Sequence, residues 1–187
     1  MYGRHRNGLG IDPATGTGTV IGSDGKEHKI RPRAQLFMAQ LAGVNLTGAN
    51  LERADLGRAD LSGANLTGAN LERAYLTETG LTGADLTGAK LEGANLMGAN
   101  LEGANLSGAH LTKAHLYAAD LFMADLTGAD LTGADLGRAD FTNGIVDPEH
   151  VLLIEAATKK MIGSLKVNGR TPNPGQGTRR GPGGYKY

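Results

Sequence analysis

One hydrophobic position recurs every five residues through the middle of the chain. From Leu36 to Leu136 every fifth residue is leucine, and Phe141 closes the series. The residue two before each leucine is nearly always alanine, with Val44 and Thr79 as the exceptions. A period of five matches neither the 3.6 residues of a helix nor the two of a long strand. It predicts a chain that makes one short extended stretch and one turn per pentad, with the leucine and the alanine always on the same side.

A second repeat of twenty residues is superimposed on the first. The segment "NLTGANLERA" at residues 45–54 returns letter for letter at 65–74. In rows of twenty, Thr or Ser followed by Gly forms one column from Thr47 to Thr127, and Glu52, Glu72 and Glu92 form another. Twenty residues are four pentads, so we predict a four-sided coil in which residues twenty apart are neighbours at about 4.8 Å. The stacked hydroxyls are expected to form ladders, and Leu41, Leu61, Leu81, Leu101 and Leu121 are expected to form one internal stack.

The sequence of the pentads points to a known family. "ADLTGADLTGADLGRADF" (124–141) and "ANLEGANLSGA" (99–109) follow the pattern A-(D/N)-L-x-x closely. The chain therefore resembles the pentapeptide-repeat proteins over about residues 34–143. This resemblance implies an all-β solenoid, a right-handed quadrilateral β-helix, here of about five and a half coils. "YLTETGLTG" (75–83) departs from the pattern, and we expect a distorted corner or a bulge there.

The segments on either side of the repeats are expected to cover the ends of the solenoid, because a solenoid end exposes unpaired strand edges. "TVIGSDGKEHKI" (19–30) predicts a hairpin around Ser23-Asp24-Gly25. "DPEHVLLIEAATKKMIG" (147–163) predicts a C-terminal α-helix with Asp147 as its N-cap and Gly163 as its stop, which either caps the last coil or forms a dimer contact. We divide the chain into a basic N-terminal arm and cap (1–35), the β-helix (36–143), and a capping helix with a flexible basic Gly/Pro-rich tail (144–187).

The charges are segregated along the chain although the formal net charge is zero. Residues 41–141 carry a balance of −7, residues 1–40 of +3 and residues 142–187 of +4. The absence of cysteine excludes disulfides and thiolate chemistry. Neither a signal-peptide core nor a membrane-spanning run is found, so we expect an intracellular protein, or one incorporated into a virus particle, that is not secreted by a cleaved signal.

Catalytic chemistry is not indicated by the sequence. His110 and His115 occupy the same slot in consecutive pentads, so they face different directions and do not converge on a metal ion. The aspartates from Asp120 to Asp140 also spiral round the rod, whereas paired-carboxylate catalysis needs two of them in one pocket. "GTGTVIG" (16–22) lacks the residues of a nucleotide-binding loop. We predict no enzyme activity, no catalytic residues, no cofactor and no metal.

The candidate partner-binding residues come from a change in surface composition. The outward positions after each leucine are mostly small or polar, but large apolar residues gather towards the fourth coil, and exposed apolar clusters mark contact sites. A fold-back of the C-terminal segment over this patch is the alternative. With the basic residues of the tail, the candidates are Tyr75, Met97, His115, Tyr117, Phe122, Met123, Arg170, Arg179, Arg180 and Lys186.

Three functional classes fit these features. The first is an accessory structural component of a large assembly, for example a virus particle, with basic tails docked on neighbouring chains or with contacts to itself through the C-terminal helix. The second is a DNA-mimicking gyrase-binding protein of the quinolone-resistance type, implied by the family resemblance and opposed by the arginines scattered over the rod. The third is a generic adaptor. Direct nucleic-acid binding by the acidic rod and membrane binding are not expected.

Overall fold

The computed structural model describes residues 9–158 and 166–167. Parallel bridges join residues twenty apart along the repeats, from Gln35 with Asp55 to Asp125 with Ile145. Two backbone hydrogen bonds flank each bridge. The leucine amide donates to a carbonyl of the next coil, and the amide of the bridging residue just before a leucine donates to a carbonyl of the previous coil. Leu41 N lies 2.7 Å from Asp60 O, and Asp60 N lies 2.9 Å from Ala39 O. Residues twenty apart are therefore lateral neighbours, as the repeat of the longer segment predicts.

Each pentad turns through a β-turn that begins at its leucine. The amide of the following alanine donates back to the leucine carbonyl, as in Ala49 N to Leu46 O at 2.9 Å. The third residue of the turn has a positive φ, 65° at Gly48, which matches a type II turn. Glycine is common in this slot because it adopts a positive φ without steric cost.

The core lies inside the coils and consists of leucine with alanine. Leu41, Leu61, Leu81, Leu101 and Leu121 have no exposed surface, so the predicted internal stack is confirmed. Full burial of each leucine contributes roughly 1.5–3 kcal/mol.

In most pentads an Asn or Asp precedes the leucine, and its side chain stabilises the turn that follows. Asn65 Oδ1 accepts a hydrogen bond from Thr67 N at 3.0 Å, and the same bond recurs along the rod. The predicted threonine ladder is confirmed as a stack of neighbours twenty residues apart, and its hydroxyls bond to the neighbouring Asn or Asp. Thr87 Oγ1 donates to Asp85 Oδ1 within its own pentad, at 2.6 Å. This carboxylate is nearer and a stronger acceptor than a hydroxyl in the next coil.

The predicted bulge at residues 75–83 is wrong. Tyr75 and Gly80 make the regular bridges to both neighbouring coils, because these use only backbone atoms. Thr79 is fully buried where the pattern has alanine. Its Oγ1 donates to Leu56 O at 2.8 Å, so the buried hydroxyl is satisfied and the coil stays regular.

An antiparallel three-stranded sheet covers the N-terminal end, in the order β1-β2-β3. The strands are β1 (Gly10–Ile11), β2 (Gly18–Ile21) and β3 (Glu27–Ile30). The predicted hairpin around Ser23-Asp24-Gly25 joins β2 to β3 and is confirmed. Ser23 N donates to Gln40 O at 2.9 Å, and Gly16 O accepts from Asn50 N at 2.6 Å. The N-terminal sheet and its loops therefore provide hydrogen-bond partners for backbone groups of the first coil, which has no coil before it.

At the C-terminal end the chain leaves the coils through β4 (Ile145–Val146) and α1 (Pro148–Thr158), and β4 pairs in parallel with β5 (Lys166–Val167). Ile154 of α1 is fully buried in the core, whereas Leu152 is 76% exposed. The helix begins where the sequence predicts, and the predicted stop at Gly163 lies outside the described residues. Asp147 lies at the predicted N-cap position, and its carbonyl accepts from His150 N at 3.0 Å. Its carboxylate, however, accepts from Gly128 N of the last coil.

In the part of the chain that the structure describes, no helix is both long and apolar enough to cross a bilayer.

Candidate functional site

The four corners of the coil differ in the residue that takes the positive φ. Glycine fills this slot in the column from Gly48 to Gly128. Eleven described residues other than glycine also have positive φ, and nine of them lie in two columns. These two columns are Arg33, Arg53, Arg73 and Lys113 at one corner, and Met38, Arg58, Glu78, Ala118 and Arg138 at the next.

One side of the rod lies between these two corners, and we call it the aromatic face. Its middle consists of the bridging column (Gln35, Asp55, Tyr75, Asn95, His115, Asp135) and the column two residues on (Phe37, Gly57, Thr77, Met97, Tyr117, Gly137). The opposite side, the threonine face, carries Asn45, Asn65, Asp85, Asn105 and Asp125 beside Thr47, Thr67, Thr87, Ser107 and Thr127. Every side chain named on the threonine face is small.

The large apolar side chains of the aromatic face lie open to solvent. Phe37 is 54% exposed, Tyr75 57% and Met97 43%. The ring of Phe37 lies over Gly57 in the next coil, where an added Cβ would be 3.2 Å from Phe37 Cδ2. Tyr117 covers Gly137 in the same way, and Arg138 Cζ lies 5.6 Å from the Tyr117 ring centroid, a cation–π distance. A glycine in the adjacent coil therefore lets each of these two rings lie along the rod.

An open depression of about 480 Å³ lies on the aromatic face near its N-terminal end. Arg58 Nε is 2.7 Å from Glu78 Oε2, and this ion pair forms one edge of the depression. Arg53 lines the other edge, with its Nε 3.7 Å from Glu52 Oε1. The remaining lining residues are Gln35, Phe37, Asp55, Gly57, Tyr75 and Thr77. The depression combines aromatic walls with guanidinium groups on both sides.

The basic residues of the repeats, except Lys90 on a neighbouring side, are concentrated at one face, which corrects the sequence interpretation. Six arginine and lysine side chains border the aromatic face, whereas three carboxylates, those of Asp55, Glu78 and Asp135, lie on it. The glutamate column belongs to the neighbouring side, where Glu92 Oε1 lies 3.4 Å from His110 Nδ1. One face of an otherwise acidic rod is therefore basic on balance.

Four predicted partner-binding residues share the aromatic face: Tyr75, Met97, His115 and Tyr117. Phe122 and Met123 lie on the next side of the coil. Arg170, Arg179, Arg180 and Lys186 lie outside the described residues. Phe37, Arg53 and Arg58 were not among the predicted binding residues, although an arginine in a slot that is usually glycine is a signal visible in the sequence.

Histidines and aspartates are distributed over several sides of the rod. His110 and His115 are exposed on adjacent sides, as their spacing predicts. The Thr132 hydroxyl and amide, together with the Thr112 hydroxyl, lower the pKa of Asp130. The Thr87 hydroxyl and amide lower the pKa of Asp85 in the same way. Among the described residues no three His, Cys, Asp or Glu side chains form a group that could hold a metal ion.

Comparison with known proteins agrees with this architecture. The family model for pentapeptide repeats matches in eight copies, over residues 39–77, 54–93, 94–133 and 119–144. The chain belongs to the pentapeptide-repeat family, whose members are typically non-catalytic. No match was found among curated proteins.

Several solved pentapeptide-repeat structures are similar to the chain. Rfr23 from the cyanobacterium Cyanothece 51142 is 40% identical over 50% of this chain and 60% of its own, with a TM-score of 0.46. HetL from the cyanobacterium Nostoc sp. strain PCC 7120, a protein involved in heterocyst differentiation regulation, is 29% identical over 74% of this chain and 68% of its own, with a TM-score of 0.41. QnrB1, a plasmid-mediated fluoroquinolone resistance protein, is 18% identical over 67% of this chain and 66% of its own, with a TM-score of 0.27.

Proposed function

We propose that the chain is a non-enzymatic interaction protein, a structural component or adaptor of a larger protein assembly, which binds its partner through the aromatic face. One observation carries the proposal. Nine of the eleven described non-glycine residues with positive φ lie at the two corners that border this face.

These residues are costly for the fold. A residue with a side chain in the left-handed conformation is less stable than glycine there by roughly 1–2 kcal/mol. Arg53, Arg58 and Arg73 have φ of 55° to 56°, in the slot that glycine fills on the threonine face. Strained backbone that persists in this way is concentrated at functional sites. We therefore attribute these arginine side chains to the binding of a partner and not to the stability of the fold.

Repulsion between neighbouring coils adds to this cost. Arg33, Arg53 and Arg73 are stacked in three successive coils, at a spacing of about 4.8 Å. Like charges directly opposite each other across strands are destabilising. A partner that supplies negative charge would remove this repulsion.

DNA mimicry is less consistent with these features, because a duplex mimic needs acidic faces. The aromatic face is basic on balance, and the described carboxylates of the threonine face are Asp85 and Asp125. Most of the other acidic residues lie on the two remaining sides of the rod, so the acidic surface does not surround it. Incorporation into a virus particle or comparable shell depends on the basic end segments, outside the described residues, and stays a prediction. Deletion of residues 168–187 is expected to abolish incorporation into such an assembly while leaving the β-helix folded.

A site-specific crosslinking experiment tests the proposal. A photo-crosslinking amino acid replaces Met97 on the aromatic face or, as the matched control, Ser107 in the same slot of the turn on the threonine face. Irradiation of cells that produce the protein naturally should give a defined protein adduct from position 97 and none from position 107. Equal adducts from both positions, or adducts from position 107 alone, would refute the proposal.

A further inference from the structure

Resting on this proposed function, we infer that the partner of the aromatic face is an amphipathic α-helix with acidic flanks, which lies parallel to the axis of the β-helix. The dimensions of the face, the depression at Gly57 and the distribution of charge each favour this occupant.

The spacing of the apolar side chains fits a helix. Tyr117 is four coils along the same column from Phe37, a distance of about 19 Å at 4.8 Å per coil. An α-helix rises about 1.5 Å per residue and 5.4 Å per turn, so about thirteen residues cover this distance. Each coil thus meets roughly one turn of helix. Apolar residues at i, i+3 or i+4, and i+7 would meet successive coils.

The depression between Phe37 and Tyr75 provides a position for one large side chain of that helix. Gly57 has no side chain where other coils of this column have Thr77, Met97 and Tyr117. Gly57 does not have a positive φ, so its backbone does not require glycine. Interface anchors are typically large apolar side chains that fill such depressions.

The charges at the two borders of the aromatic face indicate which side chains should flank the apolar stripe of the partner helix. Arg33, Arg53, Arg73 and Lys113 form one border of the face, and Arg58 and Arg138 lie on the other. Glu52 and Glu78 offset part of this charge, through their ion pairs with Arg53 and Arg58. A helix with Glu or Asp on both sides of its apolar stripe would place carboxylates against both borders, which favours this partner over others.

The two occupants that this chain could supply have the wrong charge. Residues 1–8 and 159–187 contain Arg and Lys but no Asp or Glu, so neither end segment complements a basic face. The same face of a second copy would present the same excess of arginine and lysine. A separate acidic helix is the occupant that the charges favour.

Binding of designed peptides to the full-length protein tests the inference. Three fluorescent 20-residue peptides share one apolar stripe. The first has glutamate flanks, the second has lysine flanks, and the third has glutamate flanks with two central prolines that prevent a helix. In fluorescence anisotropy the first should bind at least tenfold more tightly than either of the others, and its affinity should fall as salt is raised. Equal binding of the first peptide and either control would overturn the inference.

A single substitution then locates the peptide. Gly57→Glu places a carboxylate in the depression, in a turn slot where Glu52, Glu72 and Glu92 are native, so the backbone should tolerate it. Its Cβ would lie 3.2 Å from Phe37 Cδ2, so the exposed Phe37 ring has to shift outward. The substitution should weaken binding of the first peptide at least tenfold. Ser107→Glu, in the same slot on the threonine face, should leave binding unchanged. Equal effects of the two substitutions would overturn the inference, and thermal melts check that both variants are folded.

The remaining outcomes separate this inference from the proposed function. If no peptide binds while position 97 still crosslinks to a protein, the inference of a helical partner is wrong and the proposed function stands. If position 97 gives no adduct, the proposed function fails.

Self-association measured by sedimentation and abolished by Gly57→Glu would assign the face to a second copy. Binding to vesicles with anionic lipid, abolished by the same variant, would assign it to a membrane surface. Either result would overturn the inference.

Discussion

The Asp147 carboxylate accepts a hydrogen bond from the Gly128 amide, with 2.6 Å between Oδ2 and N. From Met38 to Met123, the amide two residues after each leucine donates to the backbone carbonyl nineteen residues further on, as in Gly108 N to Thr127 O at 2.9 Å. For Gly128 that carbonyl would belong to residue 147, where the chain turns into α1. The side chain of Asp147 therefore replaces the backbone of a coil that is absent.

Removal of this carboxylate should destabilise the C-terminal end. Asp147→Ala is expected to lower the free energy of unfolding by about 1.5–3 kcal/mol, the range for hydrogen bonds to charged groups. Asp147→Asn should lose less, because its amide keeps an oxygen acceptor. The urea midpoint measures both, with Glu149→Ala, an exposed residue of the first turn of α1, as the control. An Asp147→Ala midpoint equal to that of the control would contradict the capping role.

A leucine in the middle of the rod should matter far more than a threonine on its surface. Leu91→Ala is expected to cost about 2–5 kcal/mol, because it opens a cavity in a packed core. Leu91 has no exposed surface. Thr87→Ala removes only a surface hydrogen bond to Asp85 and should cost about 1 kcal/mol or less. Equal shifts of the denaturation midpoint for the two variants would contradict the assignment of Leu91 to the core and Thr87 to the surface.

The cost of side chains at positive φ can be measured directly. Gly88 has a φ of 62°, and an added Cβ would meet no atom within 4 Å, so Gly88→Ala tests the backbone alone. It should lower the free energy of unfolding by about 1–2 kcal/mol. Arg73→Gly should cause no loss, because relief of strain offsets the greater freedom of glycine in the unfolded chain. A clear loss in Arg73→Gly would mean that Arg73 is needed for folding.

Acid should destabilise the protein partly through Asp85 and Asp130. Hydrogen bonds from Thr87 and from Thr132 and Thr112 hold their pKa values below the ordinary 3.8 in the folded state. Their stabilising contribution is therefore complete above about pH 4 and is lost as pH falls through the lower folded pKa. Between pH 7 and pH 3 the melting temperature of the double variant Asp85→Asn and Asp130→Asn should fall less than that of the wild type. Asn65 and Asn70 are native at the same places one or more coils away, so the fold should be kept. An unchanged pH dependence would contradict this assignment.

The fold was predictable because it depends on side chains that recur with a fixed period. The leucine and alanine positions specify the core, and the twenty-residue repeat specifies which residues are neighbours. The bulge was predicted wrongly because the bridges at Tyr75 use backbone atoms that do not depend on the side chain, and because the Thr79 hydroxyl has a carbonyl partner.

The aromatic face was only partly predictable. Tyr117 and Phe122 are five residues apart and were assigned to one patch, but five residues move the chain to the next side of the coil. Phe37 and Tyr117 are 80 residues apart and share a column. The arginines were interpreted as scattered although Arg33, Arg53 and Arg73 are twenty residues apart and so fall in one column. What the sequence does not show is that their backbone has a positive φ.

The twenty-residue coil has a consequence for how such chains can change in evolution. Nearly every pentad offers the core the same leucine and alanine, so we expect the interior to tolerate the gain or loss of a whole pentad. A change of twenty residues lengthens or shortens every face and keeps its pattern. A change of five between Met97 and Tyr117 would move all later residues by one side and take Tyr117 off the column of Phe37. Short insertions and deletions can therefore rearrange the outer surface of this protein in a single step and leave its packing intact.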